Sequence, residues 1–249
     1  MKKILAVLLV VLLAVSFAAC GKGNEEKPDI FAKGEGVMTY DEYINAAEDD
    51  AVVIEAFVQG KQAFKGSSAS LYLQDPDGAY FVYAAECTQE TYDKLVAGQK
   101  VKVTGFKTAW SGEVEIAEGA TLEIEDGNWV AEALDVTDLL GGDLLLAHQN
   151  EYVSFKGMTV EASKDADGND VPFLYKWNGS GVDGDDLYFN VSINGNTYNF
   201  TVESDLCDNT TEVYQAVKDL KIGDVIDLEG FLYWYEGANP HITKVSAAQ

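Results

Sequence analysis

Alternating apolar and polar residues divide most of the chain into short segments separated by polar or glycine-rich turns. A period of two residues predicts β-strands, whereas apolar residues spaced three and four apart predict helices. The first half predicts strands at 51–59, 70–74, 79–84, 100–109 and 113–125, with a helix at 89–97. The second half predicts strands at 151–161, 186–193, 196–203, 224–235 and 240–246, with a helix at 210–221. The sequence therefore predicts an all-β fold with one short helix in each half.

One segment of the sequence occurs twice, once in each half. Residues 95–106 and 220–231 carry Leu, Gly, Gly and Phe in the same register, at a constant offset of 125 residues. In each copy this segment follows the predicted helix and continues as an alternating strand into an aromatic residue and a glycine turn. The repeat predicts two domains of one architecture, at 37–130 and 131–249.

Turn residues set the register of the hairpin in the second half. Asn194-Gly195 between alternating residues is a strong signal for a two-residue turn. The turn pairs Ile193 with Asn196, Val191 with Tyr198, Phe189 with Phe200, and Leu187 with Val202. We expect the apolar face to point into the domain and the polar face outward, because a shift of one residue would bury the polar set.

The hairpin of the first half turns at 75–78, with Pro at the second turn position and Gly at the fourth. This turn pairs Leu73 with Tyr80 and Leu71 with Val82. The outward face then carries three aromatic rings, those of Tyr72, Phe81 and Tyr83. Two interpretations stay open: the rings form an exposed platform for a ligand, or the other domain or a loop covers them.

Five strands with a helix between the third and the fourth resemble the OB-fold, a small Greek-key barrel. The whole pattern resembles the tandem OB-fold domains of exported lipoproteins of Gram-positive gut bacteria. This resemblance covers essentially the entire chain after the amino-terminal segment 1–19, and it implies two tandem five-stranded barrels. It implies little about function, because one common fold hosts many functions.

The first residues are typical of a secretory signal. Lys2 and Lys3 precede an apolar stretch that is too short to cross a bilayer as a helix. The stretch ends with small residues before Cys20, which resembles a bacterial lipobox. The resemblance implies cleavage before Cys20 and lipid attachment to it, with 1–19 as signal peptide and the protein on the outer face of the cell membrane. Residues 20–36 are rich in Gly, Lys and Glu, which predicts a flexible tether. An ordinary signal peptide cleaved after Ala19 is the alternative.

The charge of the chain is strongly acidic. Removing residues 1–19 takes away Lys2 and Lys3, so the formal net charge of −25 becomes −27. Nucleic-acid binding rests largely on Lys and Arg contacts to phosphate. The charge therefore argues against a nucleic-acid partner, although single-stranded nucleic acid stays an alternative because OB-folds take up single strands.

Aromatic residues also occur in the loops that flank the outward faces. Trp110 and Trp234 lie close to the two glycine turns, and Trp177 lies in a long insert at 163–185. Aromatic rings with Asn, Asp and Glu nearby suit neutral sugars and suit polyanions poorly. We therefore expect a binding module for a neutral glycan or a protein partner, or else a structural part of a surface assembly. The candidate ligand-binding residues are Tyr72, Phe81, Tyr83, Trp110, Trp177 and Trp234.

The same insert contains a run that resembles part of a calcium loop. Its oxygen-bearing residues are Asp165, Asp167, Asn169 and Asp170. The glycine comes two positions early, and Lys176 stands where the twelfth, bidentate ligand would be. We expect a polar turn here, with weak calcium binding as the alternative.

Catalytic machinery is not recognisable in the sequence. It holds two histidines, His148 and His241, and no pattern of nucleophile, base and orienting group. Cys87 and Cys207 lack metal-site spacing, so they either form a disulfide or fill apolar positions. We expect no enzyme activity and no cofactor.

Overall fold

The structure is a computed structural model, and it describes residues 29–248. The first half contains α1 (Tyr40–Asn45), β1 (Ala51–Lys61), β2 (Ser68–Asp75), β3 (Gly78–Glu86), α2 (Gln89–Lys94), β4 (Gln99–Trp110), β5 (Glu113–Ile116) and β6 (Thr121–Asn128). The second half contains β7 (Leu134–Asp135), β8 (Tyr152–Glu161), β9 (Ser163–Lys164), β10 (Asp170–Val171), β11 (Leu174–Tyr175), β12 (Leu187–Ile193), β13 (Asn196–Val202), α3 (Glu212–Lys218), β14 (Val225–Phe231) and β15 (His241–Ala247). Two short 3-10 helices, Thr137–Leu139 and Asp143–His148, follow β7.

The first sheet closes into a five-stranded barrel. Its order is β1-β2-β3-β5-β4, and β4 pairs back to β1. The closure uses an antiparallel β1–β4 ladder and a parallel β3–β5 pair, in which Val82 faces Ile116. The interior is apolar and fully buried, and includes Ile54, Leu71 and Val103. The all-β prediction is confirmed, and the helix α2 lies between the third and fourth barrel strands, as in the predicted OB-fold-like order.

The second sheet repeats this arrangement. Its barrel strands run β8-β12-β13-β15-β14, with β14 pairing back to β8. The hairpin register is the predicted one, from Ile193 opposite Asn196 to Leu187 opposite Val202. The first hairpin is confirmed as well, with Leu73 opposite Tyr80. Both registers follow from alternation, because each buries its apolar face in a barrel interior.

Two glycines of the sequence repeat are required by close packing. A Cβ at Gly105 would lie 2.7 Å from the Cγ2 atom of Ile116, and a Cβ at Gly230 would overlap the carbonyl oxygen of His241. In each barrel the fourth strand therefore passes the fifth strand at a distance that only glycine allows. The repeated glycine marks this crossing in both sheets.

Several elements differ from the prediction. The strand expected at 113–125 is broken into β5 and β6, and both helices are shorter than predicted. The helix α1 was not predicted, although Thr39 and Glu42 form a capping box at its start. Its Tyr43 is buried and packs edge-on against Tyr80, at 5.0 Å between ring centroids.

The segment before α1 packs against the first barrel. The Phe31 ring lies 5.6 Å from that of Phe57 and 5.8 Å from that of Trp129, and Lys33 pairs with Asp75. The prediction of a flexible tether is therefore wrong for residues 29–36. The predicted signal peptide, Cys20 and the remainder of the tether lie outside the described residues. None of the helices between residues 29 and 248 is long and apolar enough to cross a membrane.

The two sheets pack against each other through the ring face of the first hairpin. Tyr72 stacks on Phe231 at a centroid distance of 4.2 Å and an interplanar angle of 5°. Tyr72 and Phe81 are 0% and 3% exposed. The expectation that these two rings lie open to a ligand is therefore wrong, because the second sheet covers them. The alternative interpretation, burial against the other half, is the one that the structure supports.

Candidate ligand-binding cleft

A cleft of about 790 Å³ lies on the outward face of the second hairpin. Its floor is formed by Tyr188 on β12 and by Asn199 and Thr201 on β13. The alternation that sends Phe189 and Phe200 into the barrel interior directs these neighbouring side chains outward. The floor is therefore polar for the same reason that the core is apolar.

Two exposed aromatic rings line the cleft from different loops. Trp177, in the long insert before β12, is 69% exposed, and Tyr235, between β14 and β15, is 48% exposed. The loop of Tyr235 is held by the first sheet, because the Glu236 N–H donates to the carbonyl of Ser111 at 2.7 Å. The cleft thus lies between two loops of the second barrel, one joining β8 to β12 and the other joining β14 to β15. These are the first-to-second and fourth-to-fifth strand loops, at which OB-folds bind ligands.

Two carboxylates lie at one edge of the cleft. Glu203 accepts hydrogen bonds from the backbone N–H groups of Asp205 and Leu206 and from the Gln62 amide of the first sheet. Burial, followed by the charges of Asp186 and Asp205, raises the pKa of Glu203 to about 7. Asp186 accepts hydrogen bonds from the backbone and hydroxyl of Ser204. Among the described residues that line the cleft, none is Lys or Arg.

His241 contributes a hydrogen-bond donor to the cleft. Its side chain is buried, which lowers its pKa to about 3, so the ring is neutral. The Nδ1 atom lies 2.7 Å from the hydroxyl oxygen of Tyr72.

The tautomer of His241 follows from the needs of Tyr72. Within residues 29–248 the Tyr72 hydroxyl has no other hydrogen-bonding partner, so its proton is satisfied only if it donates to Nδ1. The proton of the neutral imidazole then resides on Nε2. That N–H has no partner in the described part of the chain and is available to a ligand in the cleft.

The predicted binding residues are distributed unevenly around this cleft. Trp177 lines the cleft, and Tyr83 lies beside it with 48% of its surface exposed. Burial is the largest cause of the raised pKa of the Tyr233 hydroxyl, and the nearby Tyr83 adds to this rise. Trp110 is exposed on the turn that holds the Tyr235 loop. Trp234 does not line this cleft: its backbone N–H donates to Glu113, and its ring packs against the second core.

Sequence reasoning missed the two polar groups that define the chemistry of the cleft. His241 has no local signal, because it reaches the cleft through the parallel pairing of β13 with β15 opposite Thr201. Glu203 is one of 42 acidic residues, and only the structure shows that it is partly buried at the cleft. Tyr235 could be recognised as an aromatic residue before a glycine turn.

The calcium alternative receives no support from the geometry. Asp165 accepts hydrogen bonds from the backbone of Asp167 and from the backbone and side chain of Asn169, which is a polar turn. Asp170 pairs with Lys164. Between residues 29 and 248, no group of three or more His, Cys, Asp or Glu side chains could hold a metal ion. Cys87 and Cys207 are both free thiols rather than a disulfide.

Comparisons with known proteins give fold-level likenesses at low similarity. No family model and no curated protein matches the chain. A murine DNA-binding protein solved with double-stranded DNA is 14% identical, with a TM-score of 0.38, and covers 80% of this chain and 97% of that one. A replication protein A heterotrimer bound to single-stranded DNA is 11% identical, with a TM-score of 0.33, and covers 83% and 52%.

An aspartyl-tRNA synthetase from Entamoeba histolytica is 18% identical, with a TM-score of 0.31. The match covers 50% of this chain and 30% of the synthetase. Identities and TM-scores this low carry no information on what the present chain binds.

Proposed function

We propose that this protein is a lipid-anchored, extracytoplasmic binding module of two tandem OB-fold-like domains, whose cleft takes a glycan without anionic groups. The observation that carries the proposal is the cleft on the second hairpin. It combines exposed rings with both donors and acceptors of hydrogen bonds, and its described lining holds no cation. Its volume of about 790 Å³ suits a small ligand.

The chemistry of a sugar matches this lining. A pyranose presents apolar C–H faces, which pack on rings such as Trp177 and Tyr235. Its hydroxyls both donate and accept, so they can accept from the Nε2–H of His241 and donate to Asn199 or Glu203. If sugar rings stack as nucleobases do, each contact contributes on the order of 1 kcal/mol.

Single-stranded nucleic acid is the competing candidate. Two of the structurally similar proteins were solved with DNA, and this ligand stays in the test for that reason. The local charge argues against it, since Asp186 and Glu203 would face phosphates with no described Lys or Arg in the lining.

A protein partner is a further candidate, and a separate surface favours it. Leu144 and Leu146 are 71% and 50% exposed on the 3-10 helix Asp143–His148, beside a groove of about 500 Å³ that Trp234 also lines. Exposed apolar residues next to a groove are typical of contact surfaces. Capture of a stoichiometric partner that is lost in Leu144→Asp would support this candidate.

The deciding experiment titrates the mature chain, from residue 20, with a glycan array and with single-stranded and double-stranded oligonucleotides. Glycan binding that is lost in Trp177→Ala and Tyr235→Ala, and kept in Phe106→Ala, supports the proposal. Phe106 is a matched control, because it is 58% exposed and lies on the first sheet. Oligonucleotide binding that weakens steeply with salt, without glycan binding, would overturn it.

The anchor is tested separately. Cys20→Ala in the full chain is expected to abolish incorporation of labelled palmitate and to release the protein from the membrane fraction. Stable attachment needs more than one acyl chain, which a lipoprotein amino terminus supplies. Unchanged labelling in this variant would contradict the anchor.

A further inference from the structure

The negative charge at the cleft edge has no cationic partner within the described lining. Asp186 and Glu203 lie close enough for the charge of Asp186 to affect the carboxyl of Glu203. The nearby Lys65 is engaged elsewhere, in a pair of 2.6 Å with Asp205. A positively charged ligand would supply the cation that the lining lacks beside Asp186 and Glu203.

The aromatic rings of the cleft also favour a positively charged group on the ligand. Trp177, Tyr188, Tyr233 and Tyr235 all contribute to its lining. The face of an aromatic ring carries negative potential and attracts a cation that lies over it. Rings and carboxylates together therefore favour an ammonium group over an uncharged substituent.

His241 gives an independent requirement. Its side chain is more than nine-tenths buried, lines the cleft, and carries an N–H on Nε2 that lacks a partner in the described part of the chain. An acceptor oxygen on the ligand would pair with this donor. A simple amine offers none, whereas a sugar that carries an amine offers hydroxyl and ring oxygens beside its charge.

Building on the proposed function, we propose that the cleft binds a sugar with a free, protonated amine, such as a de-N-acetylated hexosamine. The ammonium group faces Asp186 and Glu203, and a sugar oxygen accepts from Nε2–H of His241. N-acetylation removes the positive charge and enlarges the substituent, so the acetylated sugar binds more weakly.

A dependence on pH follows from the position of Glu203. Burial raises the pKa of this carboxyl to about 7, so a bound cation favours its ionised form and releases a proton. Affinity for the amino sugar then rises with pH as Glu203 ionises, up to the pH at which the amine of the sugar loses its own proton, while affinity for an uncharged sugar changes little. The titratable groups that face Glu203 are Lys65, Tyr72, Asp186, Tyr188, Asp205, Cys207 and Tyr233.

The test compares three tetrasaccharides with the same β-1,4 linkage: one of glucosamine, one of N-acetylglucosamine and one of glucose. Calorimetric titration of the mature chain at pH 6.5 is expected to give an affinity for the glucosamine form at least about tenfold higher, or 1.4 kcal/mol. Added salt should narrow this gap. Equal or tighter binding of the other two overturns the inference and leaves the proposed function standing. If no glycan binds here or on the array, both fail.

Two carboxamide variants identify the groups responsible. Asp186→Asn keeps an Oδ1 that can accept from both groups of Ser204, so the local fold is retained. This variant should reduce the preference for the glucosamine tetrasaccharide over the other two about threefold or more, because a charge interaction is lost. Its affinity for the glucose tetrasaccharide should change little. Glu203→Gln should abolish the rise in affinity with pH. Asp183→Asn is the control and should keep the preference, because Asp183 pairs with Lys218 and does not line the cleft.

Discussion

We expect the buried carboxyl of Glu113 to make the contact between the two sheets weaker as the pH rises. It lies on β5 with its side chain fully buried, and its Oε2 accepts from the Trp234 backbone at 2.8 Å. Its Oε1 has no partner among residues 29–248, and neither does the equally buried Oδ1 of Asn150. Burial raises the pKa of Glu113 to about 8, against the lowering effects of Asn150 and of the hydrogen bond from the Trp234 backbone, and the charge of Glu115 adds to the rise. Protonated Glu113 is therefore the form that fits the interface.

The magnitude follows from the pKa values of the folded and unfolded chain. An unfolded Glu loses its proton near 4.5, whereas folded Glu113 keeps it until about 8. The stability that neutral Glu113 provides is complete below pH 4.5 and is lost as the pH rises through 8. The pKa of Glu113 differs by about 3.5 between the folded and the unfolded chain, which corresponds to at most about 5 kcal/mol of unfolding free energy. The pKa values of Glu115 and Glu203 are raised to about 7, so these groups add to the decline.

Glu113→Gln removes the charge and keeps the shape. The amide oxygen can still accept from the Trp234 backbone, and the amide N–H can donate to Asn150. We expect the variant to resemble the wild type at pH 5 and to exceed it in unfolding free energy at pH 8, by up to about 5 kcal/mol.

Urea unfolding at pH 5, 6, 7 and 8 measures this difference directly. Glu123→Gln serves as the control, because that carboxylate is exposed on β6. A variant whose stability falls with pH in parallel with the wild type would refute the assignment of a neutral carboxyl at this interface.

Two further predictions concern packing. Tyr72→Phe should destabilise the protein by about 1–3 kcal/mol, because it leaves the buried Nδ1 of His241 without its partner. Tyr72→Ala should destabilise it by about 3–5 kcal/mol, because the ring at the interface is lost. Thermal unfolding that is unchanged in both variants would contradict a packed interface. Gly230→Ala should cost about 3 kcal/mol, because its Cβ would overlap the carbonyl of His241. Gly142→Ala, at a negative φ and with the nearest atom 3.4 Å from the added Cβ, should change stability by less than about 1 kcal/mol, and equal losses in urea unfolding would contradict the crossing argument.

Local pattern was sufficient to predict most of the barrel strands and the registers of both hairpins. The alternation around Asn194-Gly195 and around the turn at 75–78 sets which side chains enter each barrel, and both hairpins have the predicted pairs. The break between β5 and β6 was not predicted, because the even positions of 113–125 are apolar on both sides of the loop at 117–120, with Glu118 as the one exception. Alternation describes one strand at a time, so it does not reveal where a strand changes partners.

The contact between the two sheets could not be predicted from the pattern. Alternation shows that Tyr72 and Phe81 point out of the first barrel, but it does not show whether solvent or another sheet lies beyond. The partner ring, Phe231, is 159 residues away from Tyr72 in the sequence. Tyr83, on the same outward face, is exposed, so the buried patch ends within one strand.

The first sheet contributes to the candidate site indirectly. The Tyr72 hydroxyl fixes the tautomer of His241, the Gln62 amide holds Glu203, and the Ser111 carbonyl holds the loop of Tyr235. Each contact joins the first sheet to a group that lines the cleft in the second. A second sheet separated from the first would keep its barrel strands and lose the fixed donor, the oriented carboxylate and the supported loop. If the cleft binds a ligand as proposed, the buried ring face takes part in recognition by setting the chemistry of a cleft that it does not itself line.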